Sequence, residues 1–299
     1  AEHIDLNHFV AIIGRGGLCK PIPSGLYEVN EKMKNDVKNS PLGEHASNLG
    51  CLIADDIAKE IPGVKAFIAD PVVVDELEPV ARIAGHPEFE RISIFHALNQ
   101  KAVARKYARS VNKSYRELNL IVVHLGGGIT VGAHREGRVI DVNQGLDGEG
   151  PFSPERSGTL PSGQMATLSF SGKYSHPEIK KMITGKGGLT AYLGTSDALE
   201  IEKRIEEGDE YAALIYEAMA YQVSKEIGAC STVLNGKVDA ILLSGGLAYD
   251  MKFVEWIKER VEFIAPIFIY PGQDEMQALA DNVIAHLKGT IRALEYNPE

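Results

Sequence analysis

Three consecutive glycines, Gly126, Gly127 and Gly128, stand between two apolar runs, residues 120–125 and 129–133. Glycine has no Cβ, so backbone N–H groups at such a turn can approach a ligand closely. A turn between two strands ordinarily needs one glycine, at a position of positive φ. Three at the end of a buried-type strand suit a phosphate cradle of backbone donors. A purely structural glycine turn is the alternative. Leu242 and Leu243, followed by Ser244, Gly245 and Gly246, form a second turn of this type. An adenosine or a phosphate could lie against it, although a strand-to-helix turn explains one of its glycines.

Several side chains add charge to these turns. Arg156 stands between Pro151, Pro154 and Gly158, in a stretch too stiff for an ordinary surface arginine. A guanidinium held there suits bidentate binding of phosphate or carboxylate. Arg15 lies among Gly14, Gly16 and Gly17 and has the same character. Asp70 directly follows the run 64–69, the strand end at which α/β sheets bind ligands. A turn aspartate before Pro71 is the commoner use of that pattern. His96 begins a helical pattern reaching Val111, where its imidazole could face an anion beside helix amides, or could merely cap or pack. Asp274 and Glu275, after Pro271 and Gly272, could hold magnesium directly or through water, or cap a helix.

The elements that must carry these residues alternate. Short β-rich runs recur at 9–13, 64–69, 120–125, 129–133, 139–142, 238–243 and 266–270. Helical periodicity places Leu49, Leu52, Ile53 and Ile57 on one face, and Leu98, Ala102, Val103, Tyr107 and Val111 on another. The clearest helix carries Tyr216, Ala220, Val223, Ile227, Cys230 and Leu234 and stops at Asn235-Gly236. Strands alternating with helices predict an α/β fold. The three runs near 120–142 predict a meander, and a meander continued by βα units is ribonuclease-H-like. The connector 144–162 is long and rich in Gly, Pro and Ser, which favours a functional loop.

Composition narrows the partners. The 299 residues suffice for two domains and a large core. Lys and Arg total 31 against 41 Asp and Glu, a net charge of −10. That balance argues against nucleic acid and anionic membranes, so an anionic ligand needs local arginines, glycine amides or a metal. Cys19, Cys51 and Cys230 are odd in number, far apart and without C-x-x-C spacing, as in a reducing compartment. No apolar run reaches membrane-spanning length, and residues 1–5 do not read as a signal peptide, so a cytoplasmic protein is expected. Walker, dinucleotide-binding and zinc-protease patterns are absent.

Taken in order, these pieces resemble the acetate and butyrate kinase family, and most of all its butyrate and branched-chain fatty acid kinase subgroup. The resemblance rests on Arg15-Gly16-Gly17, Glu44-His45-Ala46-Ser47-Asn48-Leu49-Gly50, Asp70-Pro71-Val72-Val73-Val74, and Ser93-Ile94-Phe95-His96-Ala97-Leu98-Asn99-Gln100. It continues in His124-Leu125-Gly126-Gly127-Gly128, Pro154-Glu155-Arg156-Ser157-Gly158, Ser196-Asp197, Ser244-Gly245-Gly246 and Glu275. It implies two ribonuclease-H-like domains of the type found in sugar kinases, actin and heat-shock ATPases. On that pattern the first would take 1–76 plus 276–299, and the second, nucleotide-binding one 77–275.

The same resemblance implies reversible transfer of the ATP γ-phosphoryl group to a short-chain carboxylate, giving an acyl phosphate and ADP. Asp70, His96 and Arg156 match the family's active-site aspartate, histidine and arginine, and Arg15 is a further catalytic candidate that could take over the charge of the family's second substrate arginine. His124, Gly126, Gly127, Gly128, Asp197, Gly245 and Gly246 match nucleotide-binding positions. Glu275, or Asp274 beside it, matches the Mg2+-binding glutamate. The expected partners are a short-chain carboxylate or acyl phosphate and further copies of the chain. Alternatives are a sugar or polyol kinase of the same fold and a non-catalytic nucleotide-binding protein.

Two positions depart from the acetate kinase pattern. Ile12 stands where that pattern has a second substrate arginine, and Arg15 where it has the histidine of a His-Gly-Gly. Nothing before Arg15 resembles the family's first phosphate loop, so the chain is expected to start inside the first domain and to be weakly active alone. The branched run 72–74 is expected to leave room for an acyl tail longer than that of acetate.

Overall fold

The computed structural model describes residues 5–40, 43 and 46–298. Glu44 and His45, two residues of a family-like stretch, lie outside the described residues. In chain order the elements begin with β1 (Ala11–Gly14), β2 (Leu26–Glu28), α1 (Glu31–Lys38), α2 (Asn48–Lys59), β3 (Lys65–Ala69) and α3 (Ala97–Ser110). There follow β4 (Asn119–Leu125), β5 (Ile129–Arg135), β6 (Arg138–Val142), α4 (Ser162–Ser169), α5 (His176–Ile183) and α6 (Gly188–Leu193). The chain closes with α7 (Ala198–Glu206), α8 (Glu210–Val233), β7 (Ala240–Gly245), α9 (Met251–Val261), β8 (Ile267–Pro271) and α10 (Glu275–Leu287). It forms two compact units, one of residues up to Glu76, Phe95–Ala102 and those from Asp274 on, the other of Leu77–Ile94 and Val103–Gln273.

In the first unit a three-stranded sheet has the order β1-β3-β2, with β1 parallel and β2 antiparallel to β3. Leu26, Phe67, Ala69, Leu98, Ala278, Leu279 and Val283 form one part of its core. The short strand β2 was not legible as a strand, since Tyr27 and its neighbours lack a periodic run.

Helix α2 exists as expected, but it turns a different face inward. It buries Cys51, Ala54 and Ala58, whereas Leu49, Ile53 and Ile57 are exposed. The physical reason is close backbone approach. A Cβ on Gly50 would lie 2.1 Å from the Arg15 carbonyl oxygen, and one on Gly14 2.2 Å from that of Gly50. Only a face of Gly, Cys and Ala allows that approach, so small residues displace the larger apolar stripe. This contact fixes the backbone that carries Arg15.

In the second unit the sheet order is β6-β5-β4-β7-β8. Strands β4, β5 and β6 form the antiparallel meander, and β7 and β8 run parallel to β4. This is the ribonuclease-H-like arrangement. Helix α8 covers the sheet, and every residue of the predicted stripe from Tyr216 to Leu234 is buried. Asn235 (φ 55°) and Gly236 (φ 69°) then take left-handed conformations that end the helix.

The connector after β6 is held by its own hydrogen bonds. Thr159 N–H donates to the Gly150 carbonyl (2.9 Å) and Ser153 N–H to that of Arg156 (3.0 Å). Arg91 anchors its root, donating to Asp141 Oδ1 (2.9 Å) and to the Val142 carbonyl (3.1 Å).

Candidate active site

The candidate residues fall into two groups, one in each unit. In the second unit the register His124↔Ser244 places the turn after β4 beside the turn after β7, at the carboxyl ends of two parallel strands. None of Gly126, Gly127 and Gly128 has a positive φ, so chain reversal does not demand glycine here. Close approach does. A Cβ on Gly126 would lie 2.7 Å from His124 Nε2, and one on Gly128 1.8 Å from Arg156 Nη1. At Gly127 the nearest atom is Glu155 Oε2, 3.7 Å away. Gly126 also donates its N–H to the Gly128 carbonyl (3.2 Å). Two glycines therefore make room for side chains, and Gly127 alone presents an open face.

The second turn divides its work similarly. Gly245 (φ 96°) packs on Leu125, whose carbonyl oxygen would be 2.3 Å from an added Cβ. Gly245 and Gly272 exchange backbone hydrogen bonds of 3.0 and 2.9 Å. Among the described residues, no heavy atom beyond the adjoining backbone lies within 4 Å of a Cβ built on Gly246.

Arg156 lies over Gly128 and donates from Nη1 to the Gly145 carbonyl (2.5 Å). Burial lowers its proton affinity and the nearby Glu155 charge opposes that shift, yet a guanidinium stays charged. Among the described residues no carboxylate forms an ion pair with it. Ser153, unmarked by any sequence motif, donates from Oγ to the Gly127 carbonyl (2.8 Å) and ties the connector to the glycine turn. Asp197 caps α7, accepting from Leu199 N–H at 3.0 Å.

In the first unit Arg15, Gly16, Ala69, Asp70, Pro71, Val72, His96 and Leu98 line one recess. Of the branched run, Val72 reaches it, whereas Val73 and Val74 are buried. Asp70 is 1% exposed and has φ 40°, an unusual conformation for a residue other than glycine. Its Oδ1 accepts from Ser24 Oγ (2.6 Å) and Gly25 N–H (3.0 Å). A buried ion pair, Lys101 Nζ to Glu76 Oε2 (2.6 Å), joins α3 to the segment that follows Asp70.

His96 does face an anion, but an internal one. Its Nε2 lies 2.8 Å from Glu275 Oε1, and Arg15 Nη1 lies 3.2 Å from Glu275 Oε2. The His96 hydrogen bond, then the Arg15 charge, hold the Glu275 carboxyl below its ordinary range against the opposing effect of burial. The two neighbouring acids have separate tasks: Asp274 caps α10, accepting from Gln277 N–H (3.1 Å), and Glu275 faces Arg15 and His96.

Among the described residues no group of three or more His, Cys, Asp or Glu gathers as a metal cage. Magnesium bound with a nucleotide keeps phosphate oxygens and water and needs one or two carboxylates. Asp70 and Glu275 fit that donor set.

A largely buried guanidinium over a glycine turn, at the carboxyl ends of parallel strands, is an arrangement that suits an anionic group such as a phosphate. Residues 91–265 match the model of the Acetokinase family. The chain is 55% identical over 295 residues to butyrate kinase 2 of Clostridium acetobutylicum, covering 99% of this chain and 83% of that one. The crystal structure of acetate kinase from Porphyromonas gingivalis superposes with TM-score 0.78 at 21% identity, covering 93% of this chain and 77% of the other. A propionate kinase from Francisella tularensis gives TM-score 0.75 at 21% identity, covering 91% and 78%. The chain belongs to the acetokinase family.

Proposed function

We propose that this protein transfers the γ-phosphoryl group of ATP to a short-chain carboxylate such as butyrate, reversibly, giving an acyl phosphate and ADP. Membership of the acetokinase family supports the reaction class. The observation that carries the site is Arg156, a largely buried cation that donates its side-chain hydrogen bond to a carbonyl and rests on a glycine turn. Such a cation gains from an incoming anion what burial has taken from it.

The acceptor sets the chemical problem. A carboxylic acid titrates near ~4, so the nucleophile is already ionised at pH 7 and needs no general base. One anion must instead meet another, and catalysis rests on positioning and charge neutralisation. Arg156 would hold equatorial oxygens of the transferring group. The open backbone of Gly127 and Gly246 would receive nucleotide, with His124, Gly126, Gly128, Gly245 and Asp197 shaping that region. Arg15 and His96 would orient the acceptor carboxylate. Val72 and Leu98 would meet its acyl tail. Asp70, locked by Ser24 and Gly25, acts as an orienting or metal-side carboxylate. Magnesium, held by ATP phosphates with Asp70 or Glu275, would supply further neutralisation of phosphate charge.

The test is ADP release, coupled to an indicator reaction, with acetate, propionate, butyrate and isobutyrate, and with glucose and glycerol as hydroxyl acceptors. Butyrate or isobutyrate should exceed acetate in kcat/KM by roughly tenfold, because one or two buried methylenes contribute about 1–3 kcal/mol. Turnover with a hydroxyl acceptor alone would overturn the reading.

A further inference from the structure

Glu275 holds the His96 ring N–H and faces the Arg15 guanidinium, the two groups that an acceptor carboxylate would meet. One of its oxygens meets Arg15 at 3.2 Å and the other meets His96 at 2.8 Å, so a single carboxylate bridges both groups. The imidazole is committed by its other nitrogen as well. Asn99 N–H at the start of α3 points at His96 Nδ1 (3.4 Å), which leaves the neutral ring with its proton on Nε2, directed at Glu275. A substrate oxygen that is to accept from this N–H must take the place of Glu275 Oε1.

Two features distinguish this carboxylate from a cap or a scaffold ion pair. Capping of α10 is already done by Asp274, so Glu275 is not needed for that task. The side chains of Arg15, His96 and Glu275 are 36%, 13% and 20% exposed, so the contact borders solvent. The buried pair Lys101–Glu76, at 1% and 11%, shows what a purely internal pair looks like in the same unit.

We infer that Glu275 is an internal competitor of the acceptor: a built-in carboxylate that holds Arg15 and His96 until a substrate carboxylate displaces it. This rests on the carboxylate-kinase reading for the identity of the substrate, but not for the contact itself. The single His96 Nε2–H cannot be donated fully to two carboxylates, and a second anion beside Glu275 would be repelled by its charge, so binding there includes an exchange of carboxylates. The apparent affinity for the acceptor is then reduced by the fraction of molecules in which Glu275 occupies the donors. The device favours anions that offer two oxygens at carboxylate spacing.

The experiment is calorimetric binding of butyrate, and separately of inorganic phosphate, without nucleotide or metal, to the native protein and to Glu275→Gln. The amide keeps the size and loses the charge. The substituted protein should bind butyrate about tenfold more tightly. In NMR, the His96 Nε2–H resonance of the native protein should move on titration with butyrate. In Glu275→Gln it should start displaced from its native position. Glu275→Asp, which keeps the charge but shortens the reach, should also bind butyrate more tightly than the native protein, and serves if the amide variant folds poorly. Equal or weaker binding by the variants would overturn the proposal, because a carboxylate that merely positions Arg15 and His96 would lower affinity when removed. If the native protein phosphorylates no carboxylate, the functional reading fails. The phosphate arm still reports on the competition.

Discussion

Arg156 and Arg15 are both arginines set among glycines, and the two units treat them in opposite ways. Arg156 rests on Gly128, and its hydrogen-bond acceptor is the neutral carbonyl of Gly145. Arg15 is matched by the full charge of Glu275. The first arrangement leaves the guanidinium without a paired carboxylate among the described residues, with the Glu155 charge merely nearby. The second satisfies the cation in advance and makes a ligand compete for it. A cation required for charge developing in a transition state gains from being unsatisfied. One that recognises a stable substrate anion can be shared with an internal carboxylate at a modest cost in affinity.

The largest expected effect separates those two arginines. Arg156→Ala should lower kcat by about 10²–10³-fold with little change in ATP binding, in line with roughly 3–4 kcal/mol for a lost transition-state donor. Arg15→Ala should act mainly on the KM for the carboxylate, by about tenfold, a ~1.4 kcal/mol loss of ground-state binding. Steady-state kinetics with ATP and butyrate varied independently distinguish these outcomes. Near-normal turnover of the Arg156 variant would place that residue outside the site.

A second pair of substitutions tests why the glycines are there. Gly128→Ala should displace the guanidinium, because the new Cβ would lie 1.8 Å from Nη1, the far end of a flexible side chain. The fold should survive, with kcat lowered by about tenfold or more as the donor loses its place. Gly127→Ala meets only Glu155 Oε2 at 3.7 Å, so it should leave Arg156 in place and weaken nucleotide binding instead. Identical kinetic signatures for the two variants would remove the distinction between them.

The smallest effect concerns the scaffold of the Arg15 unit. Lys34 Nζ and Lys59 Nζ each lie 2.6 Å from Asp55 Oδ2, joining α1 to α2 and bracing α2 itself. Burial pushes the Asp55 carboxyl up, but hydrogen bonds from the two lysines outweigh it and leave the carboxyl below its ordinary range. A depressed folded value means the unfolded chain binds the proton more readily. The stabilisation is therefore present above the unfolded value near ~4 and is lost as the pH falls through the folded one. Urea unfolding at pH 7 and at about pH 3 should show this loss, and Asp55→Asn should reduce the difference. An unaltered pH dependence in the variant would show that other carboxylates dominate.

Several parts of this protein were legible in the sequence because they depend on neighbours along the chain. The stripe from Tyr216 to Leu234 buries as its spacing requires, and the Asn235-Gly236 stop follows from left-handed φ values. The meander and the two glycine turns follow from alternating apolar runs and punctuation by glycine. Other features depend on contacts between distant residues. Whether Leu49 or Ala54 faces the sheet was decided by the approach of Gly50 to Gly14 and Arg15, across more than thirty residues. Which of Asp274 and Glu275 faces His96 was decided by the cap of α10, and Val72 reaches the recess without Val73 and Val74. Residue types and local spacing determine which groups are available for chemistry. Only the tertiary structure decides which glycine makes room for Arg156, which stays open, and which carboxylate pairs with Arg15, because backbone approach and charge pairing act through space.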